Sequence, residues 1–132
     1  MLGHLGLNVP DLGKAASYYD QLMPLVDYEP YITAEDAVAY KPAEGRRGAY
    51  LFFYPALDMD RYDRDAVGLG HLAFIVRTRS AVRAVHDHVV RSGLEVLHVP
   101  QEFPQYPPPY YATFWLDPFG FMLEAVCHHD RD

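Results

Sequence analysis

His4-Leu5-Gly6-Leu7-Asn8-Val9 and His71-Leu72-Ala73-Phe74-Ile75-Val76 are two versions of one phrase. Each opens on a histidine, runs on as an apolar strand, and breaks at a short polar stretch before a helix-like run. The break is Pro10-Asp11 in the first copy and Arg77-Thr78-Arg79-Ser80 in the second. The offset is 71 − 4 = 67 positions, about half of the 132-residue chain. A repeat of this length predicts a duplicated module and decides the fold before any single motif does.

Working outward, Asp11 is placed to cap a helix. Leu12, Ala15, Ala16, Tyr19, Leu22 and Met23 recur at helical spacing until Pro24 ends the run. Short strands follow at residues 28–33 and 37–40, and a stronger one at 49–54. The polar stretch 56–68 reads as a linker. In the second copy a strand at 71–76 leads to a helix at 80–92 with Ala81, Val82, Val85 and Val89 on one side, stopped by Gly93. Residues 95–99 form a strand. The five prolines within 100–109 predict a stiff irregular loop. Residues 111–116 and 121–127 are strands joined by the turn Asp117-Pro118-Phe119-Gly120. The fold class is therefore α+β, in a single domain over residues 1–132. Its two tandem β-α-β-β-β modules lie at about 3–55 and 69–128. Neither module can cover its own sheet, so the two are expected to form an open, cup-shaped mixed sheet with the helices outside.

Half of the residues are hydrophobic, with 11 Tyr and 7 Phe, which excludes a disordered chain. The net charge of −7 and the scattered basic residues argue against nucleic acid, whose phosphates need clustered Lys and Arg. Arg46-Arg47 reads as a solvated turn. A single cysteine, Cys127, cannot form an intrachain disulfide, and its strand parity predicts a buried structural thiol. With no apolar run long enough for a bilayer, no membrane role and a cytoplasmic location are expected.

Glu124 is the single acid in the apolar stretch 121–127. A carboxylate in a buried strand needs a hydrogen-bonding partner, an arginine or a metal. Aligning Gly48-Ala49-Tyr50-Leu51-Phe52 with Gly120-Phe121-Met122-Leu123-Glu124 makes Phe52 the first-copy equivalent of Glu124. Alternation is consistent with His4, His71 and Glu124 on the concave side and Leu5, Leu7, Leu72, Phe74 and Leu123 toward the helices. Two imidazoles and a carboxylate form a facial triad that leaves metal positions open. Either histidine alone would read as a tolerated strand-end residue; the repeat gives the combination its weight. Zinc, nickel, iron and manganese all accept such a donor set.

These features resemble the vicinal oxygen chelate superfamily, which holds glyoxalase I, bleomycin-resistance proteins, fosfomycin-resistance enzymes and extradiol dioxygenases. The resemblance rests on the paired modules, the opening His4-Leu-Gly-Leu-Asn-Val-Pro-Asp-Leu and the ending Asp117-Pro-Phe-Gly-Phe-Met-Leu-Glu124, and covers most of residues 3–127. The segment from Pro108 through Tyr110-Tyr111 to Glu124 is similar to a glyoxalase-like bacterial subgroup. The resemblance implies metal ligands at His4, His71 and Glu124, a small-molecule substrate and a homodimer. It also exposes departures. Phe52 stands where glyoxalase I carries a fourth, carboxylate ligand, and Phe114 stands where extradiol dioxygenases carry an acid tyrosine. His98 mimics the extra histidine of those dioxygenases but reads as the end of an exposed strand.

Tyr50, Phe52 and Tyr54 share a strand face and form a candidate pocket wall with Asn8 on the His4 side; Met122 shares the Glu124 side. Tyr106, Tyr110 and Tyr111 cluster at the proline loop as a candidate lid, and Tyr110 or Tyr111 is the candidate acid or hydrogen-bond donor. Core packing is the competing account of each aromatic. His86, His88, His128 and His129 read as surface residues. Three functions stay open: a metal-dependent glyoxalase-like enzyme acting on vicinal oxygens, a binding protein sequestering an aromatic or antibiotic-like ligand, and an Fe(II) extradiol-type dioxygenase.

Overall fold

The computed structural model describes residues 1–131, in two compact units, Met1–Arg61 and the remainder from Tyr62. The first unit runs β1 (His4–Val9), α1 (Leu12–Leu22), β2 (Tyr28–Thr33), β3 (Val38–Pro42) and β4 (Tyr50–Pro55). The second runs β5 (His71–Ile75), α2 (Arg79–Arg91), β6 (Val96–Glu102), β7 (Tyr111–Leu116) and β8 (Met122–Cys127). Each unit holds one four-stranded mixed sheet, ordered β1-β4-β3-β2 and β5-β8-β7-β6. In both, the first strand pairs parallel with the last, and the other neighbours are antiparallel. The chain is thus α+β, built of two β-α-β-β-β modules with identical strand connectivity.

Local chemistry sets the helix ends. The Asp11 carboxylate accepts from the Lys14 backbone N–H at 3.0 Å, and the Thr78 hydroxyl accepts from the Ala81 N–H at 2.9 Å. Pro24 does not stop α1 outright. It sits in a 3-10 turn, Met23–Val26, which closes on Asp27 in the left-handed region at φ 62°. Gly93, at φ 70°, ends α2; its N–H reaches the Val90 carbonyl and that of Leu94 reaches the Val89 carbonyl, satisfying two terminal acceptors. Among the described residues no helix is long and apolar enough to cross a membrane.

Each helix buries one stripe, Ala15, Tyr18, Tyr19 and Leu22 in α1 and Val82, Val85, His88 and Val89 in α2. His88 therefore departs from the expected surface position. It falls between Val85 and Val89 on the inner stripe, and burial, with Arg91 adding, lowers its pKa. The second departure is β6, which continues to Glu102 through Pro100, where an irregular loop was expected. β6 is an outer strand, and its pairing with β7 slips between His98 and Gln101. Pro100 lies in that slip, where a missing N–H removes no ladder bond. Pro30 occupies the matching outer strand β2, beside its own register shift.

Tyr40 of β3 is fully buried and donates its hydroxyl to Asp20 Oδ1 at 2.8 Å. Burial first, then that hydrogen bond and the carboxylate charge, push its pKa well above the ordinary value of 10.0. Tyr28, Tyr62 and Tyr110 shift the same way. Above the ordinary value the unfolded chain loses these protons while the folded chain keeps them. Stability is then complete below that pH and is lost as pH rises toward the folded values. Thermal midpoints should stay level up to about pH 9.5 and fall beyond it. Tyr40→Phe should flatten part of the alkaline fall while costing about 1–3 kcal/mol at neutral pH. An alkaline limb unchanged in the variant would exclude Tyr40 as its source.

Candidate functional site

Glu124 lies on β8 with β5 on one side and β7 on the other, paired in register with Ala73 and Phe114. It is 1% exposed, the one buried carboxylate in that strand. His71 pairs with Met122, two residues before Glu124, so strand alternation brings the His71 and Glu124 side chains to the same face. His71 Nε2 stands 3.2 Å from Glu124 Oε1. That approach is ion-pair close but is not aligned as a hydrogen bond, and Oε1 is buried without any hydrogen-bond partner. The other carboxylate oxygen is held. The Tyr110 hydroxyl donates to Oε2 at 2.5 Å. Burial first, then that bond and the carboxylate charge, raise the pKa of Tyr110, which keeps its hydroxyl protonated as a donor.

Over this face opens a cavity of about 350 Å³. Its floor is His71, Met122, Glu124 and Phe114; its far wall is His98, Phe103, Gln105, Tyr106 and Tyr110. Phe103 organises the wall. Its ring lies 5.3 Å from Phe114, 5.6 Å from His98, 6.0 Å from Tyr110 and 6.1 Å from Tyr106. Beneath, Phe103, Ala112, Phe114 and Val126 form a buried cluster, which Leu97, Tyr110 and Met122 extend. Behind Tyr110, the His128 ring packs edge-on at 5.1 Å, its Nδ1 3.4 Å from the Pro109 carbonyl. His128 is therefore half-buried support for Tyr110, where a surface residue was expected.

The profile of the Glyoxalase/Bleomycin resistance protein/Dioxygenase superfamily matches residues 1–125. The chain belongs to this superfamily. A Bacillus halodurans protein provisionally named a glyoxalase is 27% identical with TM-score 0.82, over 96% of this chain and 95% of that one. A glyoxylase/bleomycin resistance protein/dioxygenase domain from Frankia sp. EAN1pec is 19% identical with TM-score 0.72, over 98% of each chain. A lactoylglutathione lyase from Agrobacterium tumefaciens is 19% identical with TM-score 0.68, over 96% of this chain and 92% of that one. No protein of curated function matches the chain. Members of the superfamily commonly use divalent metals and bind small molecules.

Of the residues singled out from the sequence, the second unit brings together His71, Glu124, Tyr106, Tyr110, Phe114 and Met122. Tyr111 stands apart from the cavity lining: it pairs with Cys127 and its ring lies under the Arg79 guanidinium at 4.7 Å. Tyr110 is thus the one of the two tyrosines that meets Glu124. Phe103 and Gln105 went unmarked because the proline-rich stretch carries no period. His98, which the sequence reads as a strand end or as a mimic of the dioxygenases' extra histidine, pairs with Phe114 mid-strand. Cys127 is buried, as its parity implied.

His4, Asn8, Tyr50, Phe52 and Tyr54 belong to the first unit's β1 and β4. There Phe52 and Tyr54 stack at 6.0 Å, His4 meets Phe52 at 5.3 Å, and Tyr31 meets Tyr50 at 5.1 Å. A Cβ at Gly6 would come within 3.2 Å of the Tyr54 ring, a tight approach that the ring would have to relieve by a shift of a few tenths of an ångström. Gly6 pairs with Phe52 just as Ala73 pairs with Glu124, which makes the two positions equivalent in the repeat.

Among the described residues no group of three or more His, Cys, Asp or Glu is arranged to hold a metal. Of the expected triad, the pair His71 and Glu124 is the part the second unit itself builds. That pair fits a divalent ion. Imidazole and carboxylate are the right donors, and an orphaned buried Oε1 is a carboxylate oxygen lacking its partner. Two such atoms bound to one ion lie roughly 2.9–3.4 Å apart, and these are 3.2 Å apart.

Proposed function

We propose that this superfamily member is a metal-dependent, glyoxalase-like enzyme of the lyase or isomerase type, acting on a small organic substrate with vicinal oxygens. The observation that carries the reading is Glu124 Oε1, buried, without a hydrogen bond, and 3.2 Å from His71 Nε2 at the floor of a cavity. His71 and Glu124 would hold the ion; His4 enters as a further ligand through the family resemblance alone. When bound, a divalent ion supplies Lewis-acid polarisation of substrate oxygens. Tyr110 fixes the Glu124 carboxylate through Oε2, leaving Oε1 directed at His71. Its hydroxyl donates to the carboxylate without adding charge to the site. The aromatic wall of Phe103, Tyr106 and Tyr110 offers apolar surface beside the pair.

Metal content by mass spectrometry on the untagged chain tests this. The parent should carry stoichiometric zinc, nickel, iron or manganese after reconstitution, and His71→Ala should carry little. His4→Ala measures the share expected of the first unit's histidine. Each variant keeps His128 and His129, so adventitious binding at the tail is common to all. Metal retained in full by His71→Ala would overturn the reading.

The second reading is sequestration of an aromatic ligand without turnover. Supporting it is the ring-lined wall of Phe103, Tyr106, Tyr110 and Phe114. It predicts ligand binding that survives EDTA with no product formed under any metal. An Fe(II) extradiol role has less support, because Phe114 has no hydroxyl where the acid tyrosine belongs.

A further inference from the structure

We infer that the second unit's cavity selects a neutral aromatic compound with adjacent oxygens, and rejects conjugates of the glutathione kind. The adjacent oxygens rest on the metal reading above; the aromatic and charge selectivity does not. Four rings, those of Phe103, Tyr106, Tyr110 and Phe114, line the cavity, with every centroid within 6.1 Å of Phe103. Such a wall offers edges and faces to a planar ring, the geometry aromatic pairs prefer.

Charge supplies the second constraint. The lining residues include no Lys or Arg among those described, and the formal charge they carry is the carboxylate of Glu124. A glutathione conjugate brings two carboxylates that must either stay hydrated or meet cationic partners, and burying them here without partners is costly. The chain's net charge of −7 adds long-range repulsion. Size agrees. A cavity of about 350 Å³ has room for one ring with a short oxygenated arm. His98 and Gln105 give the wall its polar contacts, suited to a hydroxyl or carbonyl substituent.

The test is calorimetric titration of the metal-loaded full chain with three probes: 2-hydroxyacetophenone, hydroxyacetone and S-lactoylglutathione. The first two share their vicinal oxygens and differ by phenyl against methyl. The aromatic probe should bind about tenfold more tightly than hydroxyacetone, and more tightly than S-lactoylglutathione. Phe103→Leu should erase most of that ring preference while leaving metal content unchanged. Tyr106 is 43% exposed, so Tyr106→Leu offers a second variant that spares the core and should act in the same direction. Equal affinity for the first two probes, tighter binding of S-lactoylglutathione, or no saturable binding of 2-hydroxyacetophenone would each overturn the inference. Repeating the titrations after EDTA separates it from the metal reading. Ring preference without metal binding sinks only that reading, and metal binding without ring preference sinks only this one.

Discussion

Glu124→Gln is expected to weaken metal binding on the order of 100-fold or more while changing the stability of the metal-free chain by no more than about 1 kcal/mol, because the cost of burying the carboxylate and its attraction to His71 offset one another. The amide keeps the shape of the side chain and one oxygen to accept from Tyr110, so packing changes little. What it removes is a buried negative charge with a hydrogen bond at Oε2 and none at Oε1. In the absence of an ion the carboxylate still has His71 Nε2 at 3.2 Å, so its removal should move the denaturation midpoint of chelated protein little. In the presence of an ion the same charge is the ligand, and its removal should be felt in a chelator-competition titration. A large loss of metal binding with little change in stability is the signature of a functional carboxylate. A variant that loses stability and binds metal normally would make Glu124 a structural group and take the site with it.

Trp115→Ala is expected to cost about 3–5 kcal/mol, the range for deleting a fully buried aromatic. Small domains hold only about 5–15 kcal/mol in total, so this single change should leave the chain marginal in urea titrations. Trp115 is the bulkiest fully buried side chain, at 0% exposure on β7. It pairs with Leu123 and Val96 and faces away from its neighbour Phe114, on the side where α2 packs. Phe114→Leu is the control. One residue along the same strand, it lines the cavity and should cost about 1.5 kcal/mol or less. A Trp115→Ala loss below that of Phe114→Leu would contradict this division of the two faces.

The repeated histidine phrase carried the topology into view because strand and helix periods are written locally. Asp11, Gly93 and the lone acid at Glu124 could be read for the same reason: each violates or punctuates a period within a few residues. Tyr110 and Tyr111 could not be separated in this way. Tyr110 lies just before β7, where alternation no longer assigns a face, and its bond to Glu124 spans 14 residues. The roles of His98 and Phe103 depend on β6–β7 pairing that shifts twice, and neither shift leaves a trace in hydrophobic spacing. His88 shows a different failure. The helical period included it on the inner stripe, and its polarity alone suggested solvent.

Pro30 and Pro100 each sit on one of the two edge strands of their sheet, next to a register slip. An open strand edge is a template on which a second chain can lay down a strand, and runaway association begins there. A proline withholds a donor from such a newcomer, and the adjacent slip bends the rim away from the straight ladder that a partner strand would need. The duplication has thus kept, at one edge of each sheet, a built-in guard against fibre growth and strand exchange.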